Sequence, residues 1–239
     1  MKYPAPIVLF ITFSLFHIST FTLPGQSSRL SVKSVTETLQ KGKVLRTTAD
    51  LYFDLAGERI INMTHSPDES VSIMTPEGKT SLYYPNRNSY LTIQNLALSS
   101  RNNNLWFFLN NEGYDLGLQG MGFKVSGIRQ EENYTVTTWQ APLRALREVD
   151  KIDLVHENHV PVFLEYRDTK GRTTLKVYYE DYLRIDQWML PARMTEIIFS
   201  TGKDSVIRRS TYSDFRSGKS ADPRGFEFVI PANATLMNK

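Results

Sequence analysis

The 239-residue sequence contains no cysteine, which excludes disulfide bonds, thiol catalysis and cysteine-ligated iron–sulfur clusters. Basic residues number 28 and acidic residues 25, and the basic ones are not concentrated in any segment. A nucleic-acid-binding surface needs clustered positive charge, so this class of protein is not indicated. After the N-terminal segment, no apolar run approaches the roughly 20 residues that a membrane-spanning helix needs.

The sequence also lacks the common catalytic motifs. It has no Gly-x-Ser-x-Gly element, no glycine-rich phosphate loop and no His-Glu-x-x-His motif. His156 and His159 have a spacing that would suit a metal ion on a helix, but Val160 and Pro161 follow at once and indicate a turn. We therefore expect no catalytic residues, no metal ion and no cofactor, and a protein that is not an enzyme.

The N-terminus has the pattern of a secretory signal peptide. Lys2 precedes an apolar run over residues 7–16, and smaller and polar residues follow. We predict a signal peptide over residues 1–25, with cleavage between Ser19 and Gly25, and one domain over residues 26–239. Without cysteine the exported chain has no site for a bacterial lipid anchor, so we expect it to be soluble.

Short β-type runs separated by turn residues dominate the rest of the chain. Five runs between residues 44 and 93 are joined by tight turns, which predicts an antiparallel meander because parallel strands need long crossovers. A second meander is predicted over residues 151–215, and Phe226 to Ile230 reads as the last strand. About eleven strands with few helices predict a mainly β fold. The sheet is expected to be strongly curved, as a half-open β-barrel, because a sheet of that size must curl or close.

The β pattern breaks between Leu96 and Leu109. This stretch is rich in leucine and aromatic residues, includes three consecutive asparagines at 102–104, and predicts one or two short helices with an apolar face. A wide barrel cannot be filled by this small number of helical residues. We therefore expect a hydrophobic cavity beneath them. The break also argues against an integral outer-membrane barrel, whose strands alternate in the same way.

Several segments resemble the LolA family of periplasmic lipoprotein carriers. Pro67-Asp-Glu-Ser70, then Gly78-Lys-Thr80 and Tyr84, is similar in kind and spacing to the family's Pro-Asp-Glu-Ser … Gly-Lys-Thr … Tyr segment. Asp50-Leu-Tyr52 resembles its Asp-Leu-Trp strand, and Phe226-Glu-Phe-Val-Ile-Pro231 resembles its closing Phe-x-Phe-x-Pro-Pro strand. The resemblance is good over residues 44–95, fair over 225–239 and weak between them.

The resemblance implies a half-open antiparallel barrel with a helical lid, whose cavity shelters lipoprotein acyl chains between the inner and the outer membrane. It implies acylated lipoproteins or lipid as cargo, with an inner-membrane ABC transporter and an outer-membrane acceptor as partners, in the periplasm. We expect a monomer. The family's lid-latching arginine is not matched in register, because Phe53-Asp-Leu-Ala56 occupies that region and Arg59 follows too late. A lipid- or lipoprotein-sensing regulatory protein of the same fold is the alternative.

The expected cavity wall consists of apolar residues of the first meander. Burial stabilises an acyl chain by about 0.8 kcal/mol per methylene, and few fixed polar anchors allow release of the cargo. The predicted ligand-binding wall residues are Leu51, Phe53, Ile61, Met63, Val71, Ile73, Leu82 and Tyr84. The predicted lid residues are Trp106, Phe107 and Leu109. The alternative at this point is that all of them fill an ordinary core.

Overall fold

The computed structural model describes residues 28–143, 149–199 and 204–237. The predicted signal peptide over 1–25 lies outside the described residues. In the described residues the strands are β1 (Arg29–Gln40), β2 (Lys43–Asp54), β3 (Arg59–Ser66), β4 (Ser70–Met74), β5 (Lys79–Tyr84), β6 (Ser89–Gln94), β7 (Lys124–Glu131), β8 (Tyr134–Gln140), β9 (Lys151–Glu157), β10 (Val160–Arg167), β11 (Thr173–Ile185), β12 (Trp188–Phe199), β13 (Ser205–Ser217) and β14 (Thr235–Leu236).

These 14 strands form one curved sheet in the order β14-β6-β5-β4-β3-β2-β1-β13-β12-β11-β10-β9-β8-β7. Neighbouring strands are antiparallel, except that the short β14 runs parallel to β6. Because β14 and β7 form its two ends, the sheet is not closed. The predicted mainly β fold with a large, curved antiparallel sheet is therefore confirmed.

Within the described ranges, helical structure is confined to short elements. Three-residue 3-10 helices lie at Leu96–Leu98 and Ser100–Asn102, and the α-helix α1 follows at Asn104–Leu109. The side chain of Asn103 caps α1 by accepting a hydrogen bond from the Leu105 backbone N–H, as asparagine commonly does. A second helix, α2, spans Pro223–Phe226. None of the helices in the described ranges is long and apolar enough to cross a membrane.

Alternate residues of each strand point to opposite faces of the sheet. We call the face that packs against α1 the inner face and the opposite one the outer face. Leu51 and Phe53 of β2 lie on the inner face, whereas Tyr52 between them lies on the outer face. Each face carries its own hydrophobic cluster, so the fold has two covered apolar surfaces.

The larger cluster lies between the inner face and the segment from α1 to Phe123. Strands from β1 to β3 and from β8 to β12 contribute to it, which makes it the core of the fold. Its buried sheet members include Leu30, Val32, Leu51, Phe53, Ile60, Trp139, Ile152, Leu154, Leu164, Val177, Tyr179, Trp188, Leu190 and Met194.

The smaller cluster lies on the outer face of β2 to β5, where residues 221–234 cross the sheet. Its buried members are Tyr52, Ile61, Val71, Tyr83, Ala221 and Phe226. We call residues 221–234 the C-terminal segment. It covers this half of the sheet on the side opposite to α1.

Two predicted boundaries differ from the structure. The predicted strand over Phe226 to Ile230 is wrong, because α2 ends at Phe226 and the following residues cross the outer face without pairing as a strand. The count of about eleven strands omits β1, which pairs with both β2 and β13 near the middle of the sheet. The sequence also predicts a short polar helix over Pro142 to Glu148, and most of that stretch, residues 144–148, lies outside the described residues.

Candidate functional site

The lid segment, residues 104–123, covers the inner face of the sheet. It consists of α1 and the turns that lead to β7. Its apolar side chains are buried against the sheet: Leu105, Trp106, Phe108, Leu109, Leu116, Leu118 and Phe123. Phe108 makes edge contacts with Tyr179 and Tyr182 at ring-centroid distances of 5.7 and 6.2 Å. Hydrocarbon and aromatic contacts therefore dominate the attachment of the lid.

Polar ties between the lid segment and the inner face are sparse. The Trp188 indole Nε1 donates to the Leu109 carbonyl at 2.9 Å, and the Asn104 side-chain Nδ2 donates to Glu196 Oε1 at 3.3 Å. Glu196 also pairs with Arg208 at 3.1 Å, so the start of the lid meets an ion pair on the sheet. These bonds hold the two ends of α1.

A histidine holds the turn that follows α1. The Nε2 atom of His156 lies 2.6 Å from the carbonyl oxygen of Tyr114, and the two rings stack at 4.9 Å. Burial lowers the pKa of His156, although the hydrogen bond to the Tyr114 carbonyl opposes this shift. Since burial has the larger influence, the pKa of His156 lies below its usual 6.5, and the neutral ring holds the lid segment to β9.

A pocket of about 410 Å³ opens between the lid segment and two β-turns. Phe108, Asn111, Gly113 and Tyr114 form its lid side, and the turns before β10 and β12 form the sheet side. Phe108, Val160, Pro161, Trp188 and Met189 supply apolar surface. Asn111, Tyr114, Asn158, His159 and Gln187 supply polar groups. A pocket of this volume, with apolar walls and a few polar groups, is typical of sites for small molecules or lipid chains.

Three tyrosines lie on the inner face near the lid and stay neutral, beside the Glu196–Arg208 ion pair. Burial raises the pKa values of Tyr166 and Tyr212 to about 12, and that of Tyr179 well above its usual range. The three phenols therefore remain protonated at neutral pH. An inner face with neutral phenols suits an uncharged hydrocarbon ligand better than an anion.

The predicted wall residues do not all share one face. Leu51 and Phe53 are buried on the inner face with the lid. Leu82 and Tyr84 are half-buried on the same inner face. Tyr83 between them belongs to the outer cluster, so its two neighbours on β5 point inward.

The other four predicted wall residues lie on the outer face. Ile61, Met63, Val71 and Ile73 pack beneath the C-terminal segment. They are therefore separated by the sheet from Leu51 and Phe53. The physical reason is the two-residue period of a strand: Ile60 points inward, so Ile61 and Met63 must point outward.

The predicted lid residues lie together on α1. Trp106 and Leu109 are 3% and 1% exposed and belong to the central cluster, and Phe107 is half-buried against it. The lid thus fills the middle of the inner face with its own side chains. The space left open is the pocket beside Phe108, at the C-terminal end of α1.

Sequence reasoning missed the residues that line this pocket. The sequence pattern indicates only a turn at Val160 and Pro161, and it gives no sign of a role for Trp188. The available signal is topological: the turns at 157–160 and 185–188 each join two consecutive antiparallel strands, β9 to β10 and β11 to β12. In a meander such turns lie at the same end of the sheet. Apolar residues at both turns would have indicated a site there.

No protein-family model and no curated protein matches the chain. Solved structures do match it over most of its length. A LolA superfamily protein from Nitrosomonas europaea aligns with a TM-score of 0.55 and 13% identity, covering 84% of this chain and 90% of its own. A putative outer membrane lipoprotein-sorting protein domain from Vibrio parahaemolyticus aligns with a TM-score of 0.57 and 14% identity, covering 84% and 89%.

A DUF1329 family protein from Desulfovibrio piger gives a similar alignment, with a TM-score of 0.56 and 13% identity over 85% of this chain and 91% of its own. Identities this low compare folds and leave function open. The shared features are the large curved sheet and the small proportion of helix. This chain has the LolA-like fold.

Proposed function

We propose that this protein is a periplasmic carrier that binds the acyl chains of lipoproteins between the inner face of its sheet and the lid segment. The observation that carries the proposal is the 410 Å³ pocket at the C-terminal end of α1, whose walls include Phe108 and Trp188 of the central cluster. A hydrocarbon chain that enters there contacts the core of the protein directly.

The lid provides room for a longer chain. Its buried side chains are apolar, so an acyl chain that replaces them on the inner face buries surface of the same kind. The net change in buried apolar area is then small, and hydrophobic free energy scales with that area. Because the polar ties of the lid are sparse, few hydrogen bonds must break for this exchange.

The polar groups at the pocket suit the head of a lipidated chain. Asn111, Asn158 and Gln187 offer neutral amides that can donate to and accept from ester and amide groups. Apolar walls with neutral amides at the rim support a bound acyl chain and permit its release.

The fold also supports the proposal, since one structure that shares it is described as a putative outer membrane lipoprotein-sorting domain. We accordingly propose the partners that the sequence resemblance implies. These are an inner-membrane ABC transporter that supplies the lipoprotein and an outer-membrane acceptor that receives it. The predicted signal peptide would deliver the chain to the compartment between them.

The pocket can be tested with a fluorescent fatty acid such as dansylaminoundecanoic acid. We expect the unmodified protein to bind it, and Val160→Glu to weaken binding at least tenfold, because the substitution puts a charge against apolar walls. Val229→Glu is the matched control, since Val229 is 78% exposed on the C-terminal segment. Circular dichroism and thermal melting establish that both variants fold.

Equal binding by the Val160→Glu and Val229→Glu variants would rule out the pocket as the site. Mass spectrometry after native purification then identifies the cargo. Retained lipoproteins or lipids support a carrier. Co-purification of a membrane signalling protein without lipid would instead support the sensing alternative.

A further inference from the structure

Four neighbouring strands carry an apolar row on the outer face, near one end of each strand. We call it the tip row: Val44, Leu39, Ile207 and Ile197. The strand register places these four side by side across β2, β1, β13 and β12. With strands about 4.8 Å apart, the row is roughly 14 Å wide. It lies close to the β1–β2 turn. The pocket lies at the opposite ends of the strands.

The tip row is exposed at Val44 and Leu39 and half-buried at Ile207 and Ile197. Val44 is 66% exposed and Leu39 is 39% exposed, as is Phe199 at the end of β12. The turn beyond them, Lys41-Gly42, has positive φ at both residues, the geometry of a tight two-residue hairpin. A Cβ atom placed on Gly42 would meet no atom within 4 Å, so the hairpin projects freely.

The inner face at this end is apolar as well. Leu45, next to Val44 on β2, points inward and is 54% exposed. Ile198 and Val206 are half-buried on the same face and are paired with one another in the register. The strand end therefore presents aliphatic side chains on both of its faces, beyond the point where the lid begins at Asn104.

Positive charge surrounds these residues. Five basic side chains, Lys41, Lys43, Arg46, Arg208 and Arg209, lie in the turn and in the adjacent rows of the sheet, with three acidic residues, Glu37, Glu196 and Asp204, among them. Glu196 is 3.1 Å from Arg208, and Glu37 is 3.9 Å from Arg46. The tip thus combines exposed hydrocarbon with a net positive charge.

We propose that this tip docks on the surface of an anionic phospholipid bilayer. A protein partner would cover one face of a strand, whereas here Val44 and Leu45 are exposed on opposite faces of the same strand end. Insertion into the interfacial region of a bilayer surrounds such an end and buries both. Lysines beside exposed aliphatic residues are typical of membrane surfaces, and lysine is depleted from protein interfaces.

Docking at the tip leaves the pocket facing away from the bilayer. β12 runs from Trp188 at the pocket to Phe199 at the tip, and its 12 residues span about 36 Å. A protein held in this way keeps the pocket and the lid accessible to a second macromolecule while it rests on the membrane. The inference stands on the tip alone and holds whether or not the pocket takes an acyl chain.

Sedimentation with vesicles tests the proposal, using pure phosphatidylcholine and phosphatidylcholine with 30% phosphatidylglycerol. We expect the partition coefficient to be at least tenfold higher for the anionic vesicles and to fall with added salt. The double variant Lys41→Glu/Lys43→Glu should lower it at least tenfold, and Val44→Asp about fivefold. Thermal melting of each variant establishes that it is folded.

Matched controls lie on β7 and β9, near the edge of the sheet that β7 forms. Lys124→Glu/Lys151→Glu changes the net charge equally at exposed lysines, and Ile128→Asp alters an apolar residue that is 70% exposed. Both should bind vesicles like the unmodified protein. Equal binding to both vesicle types, no binding, or an equal loss in the controls overturns the proposal. Affinity for the fluorescent fatty acid should be unchanged in the tip variants, so the two proposals can fail separately.

Discussion

The sheet buries two apolar surfaces, and the two covers are built differently. The lid segment covers the inner face with seven buried apolar side chains, few polar ties and a pocket at one end. The C-terminal segment covers the outer face of β2 to β5 and is held by hydrogen bonds and an ion pair to β1, β2 and β3. A hydrocarbon chain can replace an apolar cover that is held by few hydrogen bonds. It cannot replace a cover held by charged groups, because hydrocarbon offers those groups no partner.

The polar contacts of the C-terminal segment concentrate at its start. Asp222 accepts from Arg224 and donates its backbone N–H to Ser31 Oγ at 2.9 Å, and Arg224 reaches Asp50 at 3.4 Å. Arg59 donates to the Phe226 carbonyl at 3.0 Å. These bonds fasten the segment across β1, β2 and β3 and make it part of the permanent fold.

Close packing reinforces this attachment at one glycine. Phe226 packs edge-on against Tyr52 at 5.4 Å, and Gly225 lies directly on the same ring. Burial raises the pKa of Tyr52 to about 12, with Asp222 and Asp50 adding to the shift, so its hydroxyl stays protonated. The outer cover therefore has no room for a side chain at Gly225, in contrast to the open pocket beside Phe108.

The largest effect is expected from Trp106→Ala in the lid. Trp106 is 3% exposed, and removal of a buried tryptophan side chain costs about 3–5 kcal/mol of unfolding free energy. Urea denaturation measures this, with Val229→Ala as an exposed control in the other cover. A loss below about 1 kcal/mol would mean that the lid is held more loosely than its burial indicates, and would widen the contrast between the covers.

Gly225→Ala should produce the next largest effect. The added Cβ would lie 2.2 Å from Tyr52 ring atoms, so the C-terminal segment has to shift. Overpacking of this kind costs about 1–3 kcal/mol. Gly127→Ala is the matched control, because its nearest contact would be an ordinary 3.8 Å to Thr138. The folded Gly225→Ala variant should still bind the fluorescent fatty acid normally; a loss of binding would connect the outer cover to the ligand site.

The smallest effect is a pH-dependent difference between the covers. The folded-state pKa of His156 lies below its usual 6.5, so the unfolded state binds more protons and the contribution of this residue falls as the pH drops below 6.5. The pKa of Asp222 is lowered, chiefly by Arg224, so its contribution is present above the unfolded value of 3.8 and is lost only as the pH falls below it.

Hydrogen exchange between pH 7 and pH 5, corrected for intrinsic rates, measures this difference. Residues around Tyr114 should lose protection on acidification, while the C-terminal segment should remain protected. The His156→Phe variant, which cannot titrate there, should show the same protection near Tyr114 at both pH values. An equal loss in both covers would contradict the assignment of the effect to His156.

Strand positions in the first meander could be read from the sequence. The predicted strand from Val44 to Leu55 corresponds to β2 at Lys43–Asp54, and the predicted returning strand from Arg59 corresponds to β3. Both depend on local alternation and on turn residues such as Gly57. The short helices between Leu96 and Leu109 are also confirmed, because the break in alternation is itself local.

β1 was missed because its pattern is weak when seen alone. Its inner-face residues after Val32 are Ser34, Thr36 and Thr38, so polar side chains stand where an alternating strand would show apolar ones. Its position depends on pairing with β13, in which Leu30 lies opposite Ser217. The pairing of β1 with β2 through the Lys41-Gly42 turn is local, whereas β1 and β13 are too far apart in sequence for their pairing to leave a local signal.

The amino-acid sequence by itself determined the class of fold, because alternation and turn chemistry act over a few residues. It also determined that alternate residues share a face. Only the tertiary structure decided that Leu51 and Leu82 face the lid side while Met63 and Ile73 face the C-terminal segment. Both faces of β2 to β5 are apolar, so the alternation of side chains does not show which face lies towards the lid. That choice depends on which distant segment packs on each face, and so on contacts that form only when the whole chain folds.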